Sequence, residues 1–316
     1  MHALVTGASG FIGQALADQI SSKFPGCHIH LAYRNQPTRT PAYPFSIVGD
    51  LAADTDWYEA LHDCDVVVHC AARVHIMKDT ALDPLSEFRL ANVIGTSNLA
   101  HQAAEAGVKR FVFISSIKVN GERTEPGKPY TADDHPAPVD PYGISKHEAE
   151  QALQQIAQAT NMEVTIIRPP LVYGPGVKSN FAAIMKWMAK GTPLPLGALR
   201  HNRRSFVSLD NLLDLIITCL DHPSAANQIF LAGDGEDLST TELLQRVAQA
   251  MHRNPRLIPI PEWLLVPTLS LLGKIDIAEK LCGSLQLDIS KAERLLSWTP
   301  PLSVNEGIKR TVASTS

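Results

Sequence analysis

The sequence has few of the features that mark secreted, metal-binding or nucleic-acid-binding proteins. Its five cysteines are scattered, with no CxxC pair and no spacing typical of metal ligands, which predicts a reduced, cytoplasmic and metal-free protein. The formal net charge is only −4, so no basic surface for nucleic acid is expected. The first residues enter an apolar segment directly, without a basic leader, and no signal peptide is expected.

Long unbroken hydrophobic runs are also missing. The most apolar stretch, residues 257–273, is interrupted by three prolines and carries Glu262. A membrane-spanning helix needs about 20 consecutive apolar residues, so no stable membrane insertion is expected. We interpret the stretch as a core or dimer-facing helix, with peripheral contact to a membrane as the alternative.

The chain does contain a regular alternation of apolar segments and helical patterns between residues 2 and 170. The apolar segments are HALVTG, CHIHLAY, FSIVGD, CDVVVHCAA, RFVFISS and EVTIIRP. Helical patterns cover about 11–23 and 84–106, and another begins at Tyr142. Strands that are apolar throughout predict a parallel sheet covered by helices on both faces. We therefore predict an α/β fold with a doubly wound, Rossmann-type sheet, whose ligands bind beyond the carboxyl ends of the strands.

The pattern becomes irregular after residue 170. Proline and glycine recur, and shorter helices are predicted near 180–190, 209–221 and 239–251. We predict a cofactor-binding domain at residues 1–170 and a smaller, irregular α/β substrate lobe at residues 171–316, interleaved with the first.

A glycine-rich turn separates the first strand from the first helix. VTGASGFIG spaces Gly7, Gly10 and Gly13 as G-x-x-G-x-x-G. Successive glycines in such a loop allow the tight turn, the approach of a pyrophosphate and the packing of helix on strand, and the helix N-terminus adds unpaired N–H groups for phosphate. The pattern predicts a dinucleotide site, the alternative being a turn that binds nothing. The residues assigned to the cofactor in this segment are Gly7, Ser9, Gly10, Phe11, Ile12 and Gly13.

The end of the second strand indicates which dinucleotide binds. NAD sites usually carry an acidic residue there for the ribose 2′-hydroxyl, whereas this chain has Ala32 and Tyr33, followed by Arg34. An arginine without a competing carboxylate suits a 2′-phosphate. NADP(H) is therefore the favoured cofactor and NAD(H) the second choice, and a solvated surface arginine is the alternative for Arg34.

Tyr142 and Lys146 lie one helical turn apart in the stretch DPYGISKHEAE. A nearby ammonium is expected to lower the pKa of the tyrosine from about 10 towards neutral. A tyrosine of this kind can give or take a proton as a carbonyl and an alcohol interconvert. Ser115 or Ser116, at the end of the fifth strand, would supply a further hydroxyl. Such a pair is usually only a solvated helix face, but beside the glycine loop it predicts an oxidoreductase site.

These motifs together resemble those of the extended short-chain dehydrogenase/reductases, in the nucleotide-sugar epimerase/dehydratase group, over essentially the whole length. The shared motifs are TGASGFIG, GDL, HCAA, NVIGTSNL, FISS, YGISK and RPPLVYGPG. The resemblance implies that Ser116, Tyr142 and Lys146 act together in catalysis, with Tyr142 and Lys146 also touching the cofactor. It implies further cofactor contacts from Asp50, Leu51, Cys70, Ala71, Ala72, Pro169 and Val172.

The resemblance extends to the substrate lobe and to assembly. GVKSNF and NRRSFVSLDNL are similar to segments that hold a nucleotide diphosphate, which implies substrate contacts from Asn180, Phe181 and Arg203, with Arg204 as the alternative to Arg203. Family members commonly dimerise through a four-helix bundle, here formed by the helices near 84–106 and 142–160. An apolar stripe on the second helix would form the contact, unless it packs on the subunit's own sheet. Its residues are Ala149, Ala152, Leu153, Ile156, Ala157 and Thr160.

Departures from the family pattern indicate the reaction. Ile117 and Lys118 stand where the family's dehydratases carry an Asp-Glu pair, which argues against dehydration. The acid of strand two is missing, and Asn120 stands where epimerases often carry tyrosine. The segment ISSIKVNGE resembles enzymes of O-antigen biosynthesis that act on UDP-2-acetamido-2,6-dideoxy-4-ketohexose. We therefore expect NAD(P)H-dependent reduction of a UDP-linked 4-keto sugar. The alternatives are a UDP-glucose or UDP-N-acetylglucosamine 4-epimerase with bound NAD, and a non-catalytic NADP(H) sensor.

Overall fold

The structure is a computed structural model that describes residues 1–74, 83–177 and 180–314, and the Asn180 side chain lies outside this description. The strands are β1 (His2–Thr6), β2 (His28–Tyr33), β3 (Phe45–Ile47), β4 (Val66–His69), β5 (Arg110–Ile114), β6 (Glu163–Arg168), β7 (Leu171–Tyr173), β8 (Phe206–Ser208) and β9 (Ile229–Leu231). The first half of the helices comprises α1 (Phe11–Lys23), α2 (Pro84–Arg89), α3 (Thr96–Glu105), α4 (Pro141–Ala159), α5 (Asn180–Ala189) and α6 (Leu209–Asp221). The second half comprises α7 (Thr240–Ala250), α8 (Glu262–Leu271), α9 (Ile275–Cys282), α10 (Ser290–Leu296) and α11 (Val304–Ala313).

Seven strands form one parallel sheet in the order β3-β2-β1-β4-β5-β6-β9. The order reverses between β1 and β4, and this switch point is where doubly wound sheets bind their ligands. The predicted fold class is confirmed, and each of the six predicted strands is present. The seventh strand, β9, was not predicted; it lies in the irregular part of the chain after residue 170, where no alternation of strands and helices marks it.

Helices cover both faces of the sheet. On one face α1 and α6 pack over β1 and β4 through side chains such as Leu16 and Leu212, both fully buried. On the other face α3 and α4 pack over the same strands through side chains such as Leu99 and Leu153. Each large apolar side chain that is fully buried contributes about 1.5–3 kcal/mol. The two cores therefore hold the carboxyl edge of the sheet in a fixed geometry.

The predicted long helix near 84–106 is present, with an irregularity at its centre. A π-helical turn, Leu90–Gly95, joins α2 to α3. Turns of this type are frequent at functional sites. Here the turn points Asn92 inward, where its side-chain oxygen accepts the N–H of Arg73 at 2.8 Å and its amide donates to Ser145 at 3.0 Å.

The apolar stripe of α4 packs on the chain's own sheet. Ala149 and Leu153 are fully buried, and Ile156 is 5% exposed, all within the core shared with α3. These three residues of the stripe are therefore inside the subunit, whereas Ala152 and Ala157 are half-buried and Thr160 is exposed, and the four-helix bundle stays a prediction. A helix that covers a sheet repeats its apolar residues with the same period as a helix in a bundle, so the pattern alone could not separate the two cases.

A third core lies in the second half of the chain, around the short parallel pair β7–β8 and helices α5, α7 and α11. The apolar stretch 257–273, interpreted as a core or dimer-facing helix, contains α8. Leu265 of this helix is buried in the third core, while Trp263 and Leu271 are 75% and 89% exposed, so one face only is a core face. Within the described ranges, no helix is long and apolar enough to cross a membrane.

Candidate active site

The glycine loop forms a cradle at the carboxyl end of β1. Gly7 has φ +67°, and a Cβ added to it would lie 2.7 Å from the Ala71 nitrogen. A Cβ on Gly13 would lie 2.4 Å from the Gly7 carbonyl oxygen. Gly10 is the N-cap of α1 and has no side chain to occupy the first N–H groups of the helix. These residues fit a dinucleotide, because they leave room for a pyrophosphate and offer it unpaired N–H donors. Ser9 and Gly10 are exposed, and Phe11 and Ile12 are half-buried at the same helix start.

A buried histidine braces the opposite wall of this cradle. The His69 ring shares hydrogen bonds with Thr6 at 2.7 Å and with Thr96 at 3.0 Å, which ties β1, β4 and α3 together. Burial, with a smaller effect of Lys146, lowers the pKa of His69 to about 3, so the ring stays neutral. Its role was not predicted, although HCAA was recognised as a family motif.

The segment after β4 continues this wall. Cys70, Ala71 and Ala72 are half-buried there, and the Ala71 N–H donates to Thr6 Oγ1 at 3.2 Å. Burial raises the pKa of the Cys70 thiol to about 12, so this side chain is an inert part of the surface. All three residues lie where a cofactor seated on the glycine loop would pass.

The two adjacent serines after β5 have different environments. Ser115 is buried, and its hydroxyl donates to Glu150 Oε1 at 2.5 Å. Ser116 is half-buried, and its Oγ accepts the Lys118 N–H at 3.3 Å. The Ser115 hydroxyl proton is already donated to Glu150, whereas the Ser116 hydroxyl proton is available for a hydrogen bond to a ligand. The geometry therefore favours Ser116 as the hydroxyl donor.

Helix α4 presents Tyr142 and Lys146 to the same cleft. It begins at Pro141, one residue before the predicted start, because the side chain of Asp140 caps it by accepting the Gly143 N–H at 2.7 Å. Lys146 is 1% exposed, and its Nζ lies 3.9 Å from the centre of the Phe113 ring. Burial lowers the pKa of Lys146 to about 7, against the opposing influence of Glu150 and Cys70.

The expected lowering of the Tyr142 pKa is wrong for this geometry. Burial, with a smaller effect of Asp140, raises the pKa of Tyr142 to about 12. The physical reason is that Lys146 is itself strongly desolvated and sits against an aromatic face, so its charge does not outweigh the loss of water around the phenol. At neutral pH Tyr142 is therefore a phenol with a proton to donate.

Two of the predicted substrate residues contact other parts of the chain. Phe181 is 1% exposed and stacks on Tyr173 with ring centres 5.4 Å apart, so its side chain belongs to the third core rather than to a ligand site. Arg203 turns to Glu242 at 3.1 Å and to two backbone carbonyl groups. The burial of Phe181 argues against a ligand contact from its side chain, whereas the role of Arg203 stays a prediction, and the predicted role of Asn180 lies with a side chain outside the described residues.

Arg204, the alternative to Arg203, has a different set of partners. Its Nη1 donates to the Gly283 carbonyl at 3.1 Å, and no carboxylate in the described ranges forms an ion pair with it. Burial lowers its pKa, with Glu122 acting in the opposite sense. Arg204 is thus a half-buried cation whose guanidinium can still donate hydrogen bonds to a ligand, whereas Arg203 is paired with Glu242.

The remaining cofactor positions lie around the sheet edge. Arg34 pairs with Asp50 at 3.5 Å, with side chains 70% and 81% exposed. The premise that Arg34 has no competing carboxylate is therefore wrong, because the loop after β3 brings Asp50 beside it. Leu51 packs against Gly95, where an added Cβ would lie 2.7 Å away. Two further predicted positions follow β6: Pro169, which is buried and whose carbonyl accepts the Ile117 N–H at 3.0 Å, and Val172, which is half-buried in β7.

Comparison with known proteins identifies the family. Residues 3–233 match the model of the NAD dependent epimerase/dehydratase family. The chain belongs to the NAD-dependent epimerase/dehydratase family. Within it, a UDP-glucose 4-epimerase of Vibrio cholerae is 48% identical over 308 residues, which cover 98% of this chain and 93% of the relative.

Solved structures of epimerase/dehydratase proteins share the fold. A UDP-N-acetylglucosamine 4-epimerase from Bacillus cereus superposes with a TM-score of 0.81 at 21% identity, over 100% of both chains. A UDP-glucuronic acid 4-epimerase from the same species, solved in complex with NAD, gives a TM-score of 0.77 at 23% identity over 99% of this chain and 96% of the other. The family is NAD-dependent, and these comparisons lend no support to the predicted preference for NADP(H).

Proposed function

We propose that the protein is a UDP-sugar 4-epimerase that uses NAD and interconverts UDP-glucose and UDP-galactose or their N-acetyl forms. The observation that carries the proposal is the convergence of Ser116, Tyr142 and Lys146 beside a dinucleotide cradle, in a chain 48% identical over nearly its whole length to a UDP-glucose 4-epimerase. The 4-epimerase, which was an alternative in the sequence analysis, is thus preferred to the reductase that was expected first.

Two of the three arguments for a reductase are weakened by the structure, and the resemblance of ISSIKVNGE to enzymes of O-antigen biosynthesis stays in its favour. The first was a dissociable NADPH held by Arg34, but Arg34 forms a surface ion pair with Asp50. The second was Asn120 in place of a tyrosine. Asn120 is 1% exposed, accepts from Arg168 at 2.9 Å and donates to the Thr131 carbonyl at 2.9 Å. Its identity therefore follows from buried packing and says little about the reaction.

The three catalytic residues have separate roles in moving the proton of the sugar's 4-hydroxyl group. NAD, when bound, supplies the acceptor and donor of hydride for carbon 4 of the sugar. Tyr142 would have to lose its own proton before catalysis, which the positive charges of Lys146 and of bound NAD would favour; as the phenolate it accepts the proton of the 4-hydroxyl when that carbon is oxidised, and it returns this proton when the carbonyl is reduced. Ser116 donates a hydrogen bond to the same oxygen and stabilises its partial negative charge. Lys146 supplies positive charge one helical turn from the phenol.

Inversion also requires the sugar to present both faces of carbon 4. Ser116 and Tyr142 approach from one side only, because both belong to segments fixed on the sheet. The nucleotide must therefore stay anchored while the sugar turns. We assign this anchor to Arg204, whose planar guanidinium suits a diphosphate. The absence of a carboxylate at positions 117 and 118 agrees with a reaction that removes no water.

The test is turnover without added cofactor. Purified protein is incubated with UDP-glucose or UDP-N-acetylglucosamine, and the products are followed by proton NMR. Appearance of the 4-epimer supports the proposal. If no epimer forms, and a UDP-4-keto-6-deoxy sugar is instead reduced with consumption of NADPH, the protein is a reductase.

Assembly as a homodimer remains part of the proposal, through a different surface from the stripe on α4. The outer side of the π-helical turn exposes Leu90 by 53% and Ile94 by 41%, next to the ion pair between Arg89 and Glu148 that links α2 to α4. A two-fold contact here would place two copies of this face together. Ile94→Glu is expected to give a monomer by light scattering. A dimeric Ile94→Glu variant would contradict this surface. We also propose that the protein is located in the cytoplasm.

A further inference from the structure

We propose that Glu150, held by Arg168, is a positioning residue that fixes Ser116 and Lys146 relative to each other in the geometry that the reaction needs. This inference rests on the catalytic assignments of the proposed function. Glu150 follows Lys146 by one helical turn on the inner face of α4, and both side chains are almost fully buried.

Glu150 is the centre of a buried hydrogen-bond network. Its Oε1 accepts from the Ser115 hydroxyl at 2.5 Å and from Arg168 Nε at 3.0 Å. Its Oε2 accepts from Arg168 Nη2 at 2.6 Å. Arg168 in turn donates to Asn120 at 2.9 Å. Glu150 and Arg168 are each 2% exposed, so water competes little for these bonds.

The network joins the three segments that carry the reaction. Ser115 directly precedes Ser116 at the end of β5, Glu150 lies on the helix of Tyr142 and Lys146, and Arg168 ends β6. Backbone hydrogen bonds run alongside, from the Ser115 N–H to the Ile167 carbonyl at 2.8 Å and from the Ile117 N–H to the Pro169 carbonyl at 3.0 Å. A shift of the Glu150 carboxylate would therefore move the serine and the helix relative to each other.

Stability alone is a weak reason for such an arrangement. Replacing a buried ion pair by apolar side chains of similar size is often neutral or stabilising, because both charges lose their hydration. An apolar pair could also cover this face of the sheet. A network in which the carboxylate accepts three bonds instead fixes the direction of each partner. Direction is what a catalytic hydroxyl and ammonium require.

Glu150 also contributes to the charge around Lys146. The titratable groups around Lys146 are Glu150, which is paired with Arg168, and Cys70 and His69 at the end of β4. Tyr142 lies one turn earlier on the same helix. The cysteine and the tyrosine are uncharged at neutral pH, and so is the histidine. The carboxylate of Glu150 is therefore the anion that favours the ammonium form of Lys146.

The experiment replaces the carboxylate by its neutral isostere. Glu150→Gln removes the charge that favours the ammonium, so the pKa of Lys146 falls further. If the ammonium is the active form, the alkaline limb of log kcat against pH moves to lower pH by about half a unit or more. We expect kcat at pH 7 to fall by about tenfold or more, with KM for the UDP-sugar changed less than about threefold. A wild-type alkaline limb in Glu150→Gln would overturn the inference.

A matched control separates this role from general damage. Glu148→Gln changes a carboxylate on the same helix that pairs with Arg89 at the surface. This variant should keep the wild-type kcat and pH profile. An equal shift in Glu148→Gln would mean that any loss of charge on α4 has the effect, which contradicts a specific role of Glu150.

A double variant guards against loss of folding. Glu150→Gln leaves the Arg168 charge buried without its partner, which is strongly destabilising. Glu150→Gln/Arg168→Met removes both charges and should unfold at a higher temperature than the single variant. Its alkaline limb should remain displaced. If its kcat and its pH profile both return to wild-type values, the pair is only structural.

A measurement that does not depend on turnover tests this inference separately from the proposed function. Titration of lysines labelled with ¹³C at Cε, with the Lys146 signal assigned from Lys146→Met, follows the ammonium directly. A lower Lys146 pKa in Glu150→Gln supports the inference whether or not the protein epimerises UDP-glucose. An unchanged Lys146 titration overturns it even if epimerase activity is found.

Discussion

The cofactor half and the substrate half of the molecule place their functional residues by different means. In the cofactor half, the functional residues lie within or directly after the strands and helices of one parallel sheet. They are the glycine loop, Ser116, Tyr142 and Lys146. In the substrate half, Arg203 and Arg204 lie in an irregular segment before β8, where Arg204 forms isolated bridges with Leu238 and Leu285. Regular elements have a repeating geometry, so spacing predicts which side chains converge. Irregular segments lack that repeat, and two neighbouring arginines there point to different partners.

The largest effect is expected at the centre of the cofactor half. Tyr142→Phe removes the proton donor and should lower kcat by about a hundredfold or more, while NAD affinity measured by calorimetry stays nearly unchanged. Tyr58→Phe is the control, since this tyrosine is 80% exposed and should keep full activity. A Tyr142→Phe variant with more than a third of the wild-type turnover would contradict its role.

The next effect concerns the backbone of the glycine loop. Gly7→Ala combines an unfavourable positive φ with a clash against Ala71, which together displace the loop and should reduce NAD affinity by about thirtyfold or more. Gly26→Ala is a matched control, because Gly26 has φ +85° but nothing within 4 Å of an added Cβ. It should cost some stability and leave NAD affinity intact. Equal losses of affinity in both variants would indicate that strain alone, and not the close approach to Ala71, explains the loop.

A smaller effect distinguishes the two arginines of the substrate half. Arg204→Ala should weaken inhibition by UDP by roughly 10- to 150-fold, the equivalent of about 1.5–3 kcal/mol for hydrogen bonds to a charged group. Arg203→Ala should change it less than about threefold, because Arg203 is already paired with Glu242. The reverse order in inhibition assays would restore the original assignment to Arg203.

The smallest effect is expected at the surface of the cofactor half. Exposed ion pairs contribute about 0–1 kcal/mol, so Arg34→Ala should change NAD affinity less than about fivefold. Direct titration with NAD and NADP measures this. A much larger loss for NADP than for NAD, together with tighter binding of NADP to the wild type, would reinstate the 2′-phosphate interpretation.

Sequence reasoning succeeded where spacing along one element decides the outcome. It predicted the sheet, helix α1 at its observed bounds and the shared face of Tyr142 and Lys146. It failed where a contact depends on segments far apart in the chain. Asp50 meets Arg34 only because β3 returns beside β2, and Glu242 meets Arg203 across 39 residues. The raised pKa of Tyr142 likewise depends on burial by several elements, which no local pattern reports.

The burial of Lys146 makes the active site a source of instability. Its pKa is about 7 in the folded protein and about 10.4 in an unfolded chain, so above pH 7 the unfolded state binds more protons at this position. The contribution of Lys146 to the free energy of unfolding therefore rises with pH from about 7 to about 10. Below pH 7 the lysine is charged in both states, and the full cost of burying that charge remains. Lys146 thus destabilises the folded protein least in mildly alkaline buffer, on the side of the titration where it has lost the charge that catalysis uses.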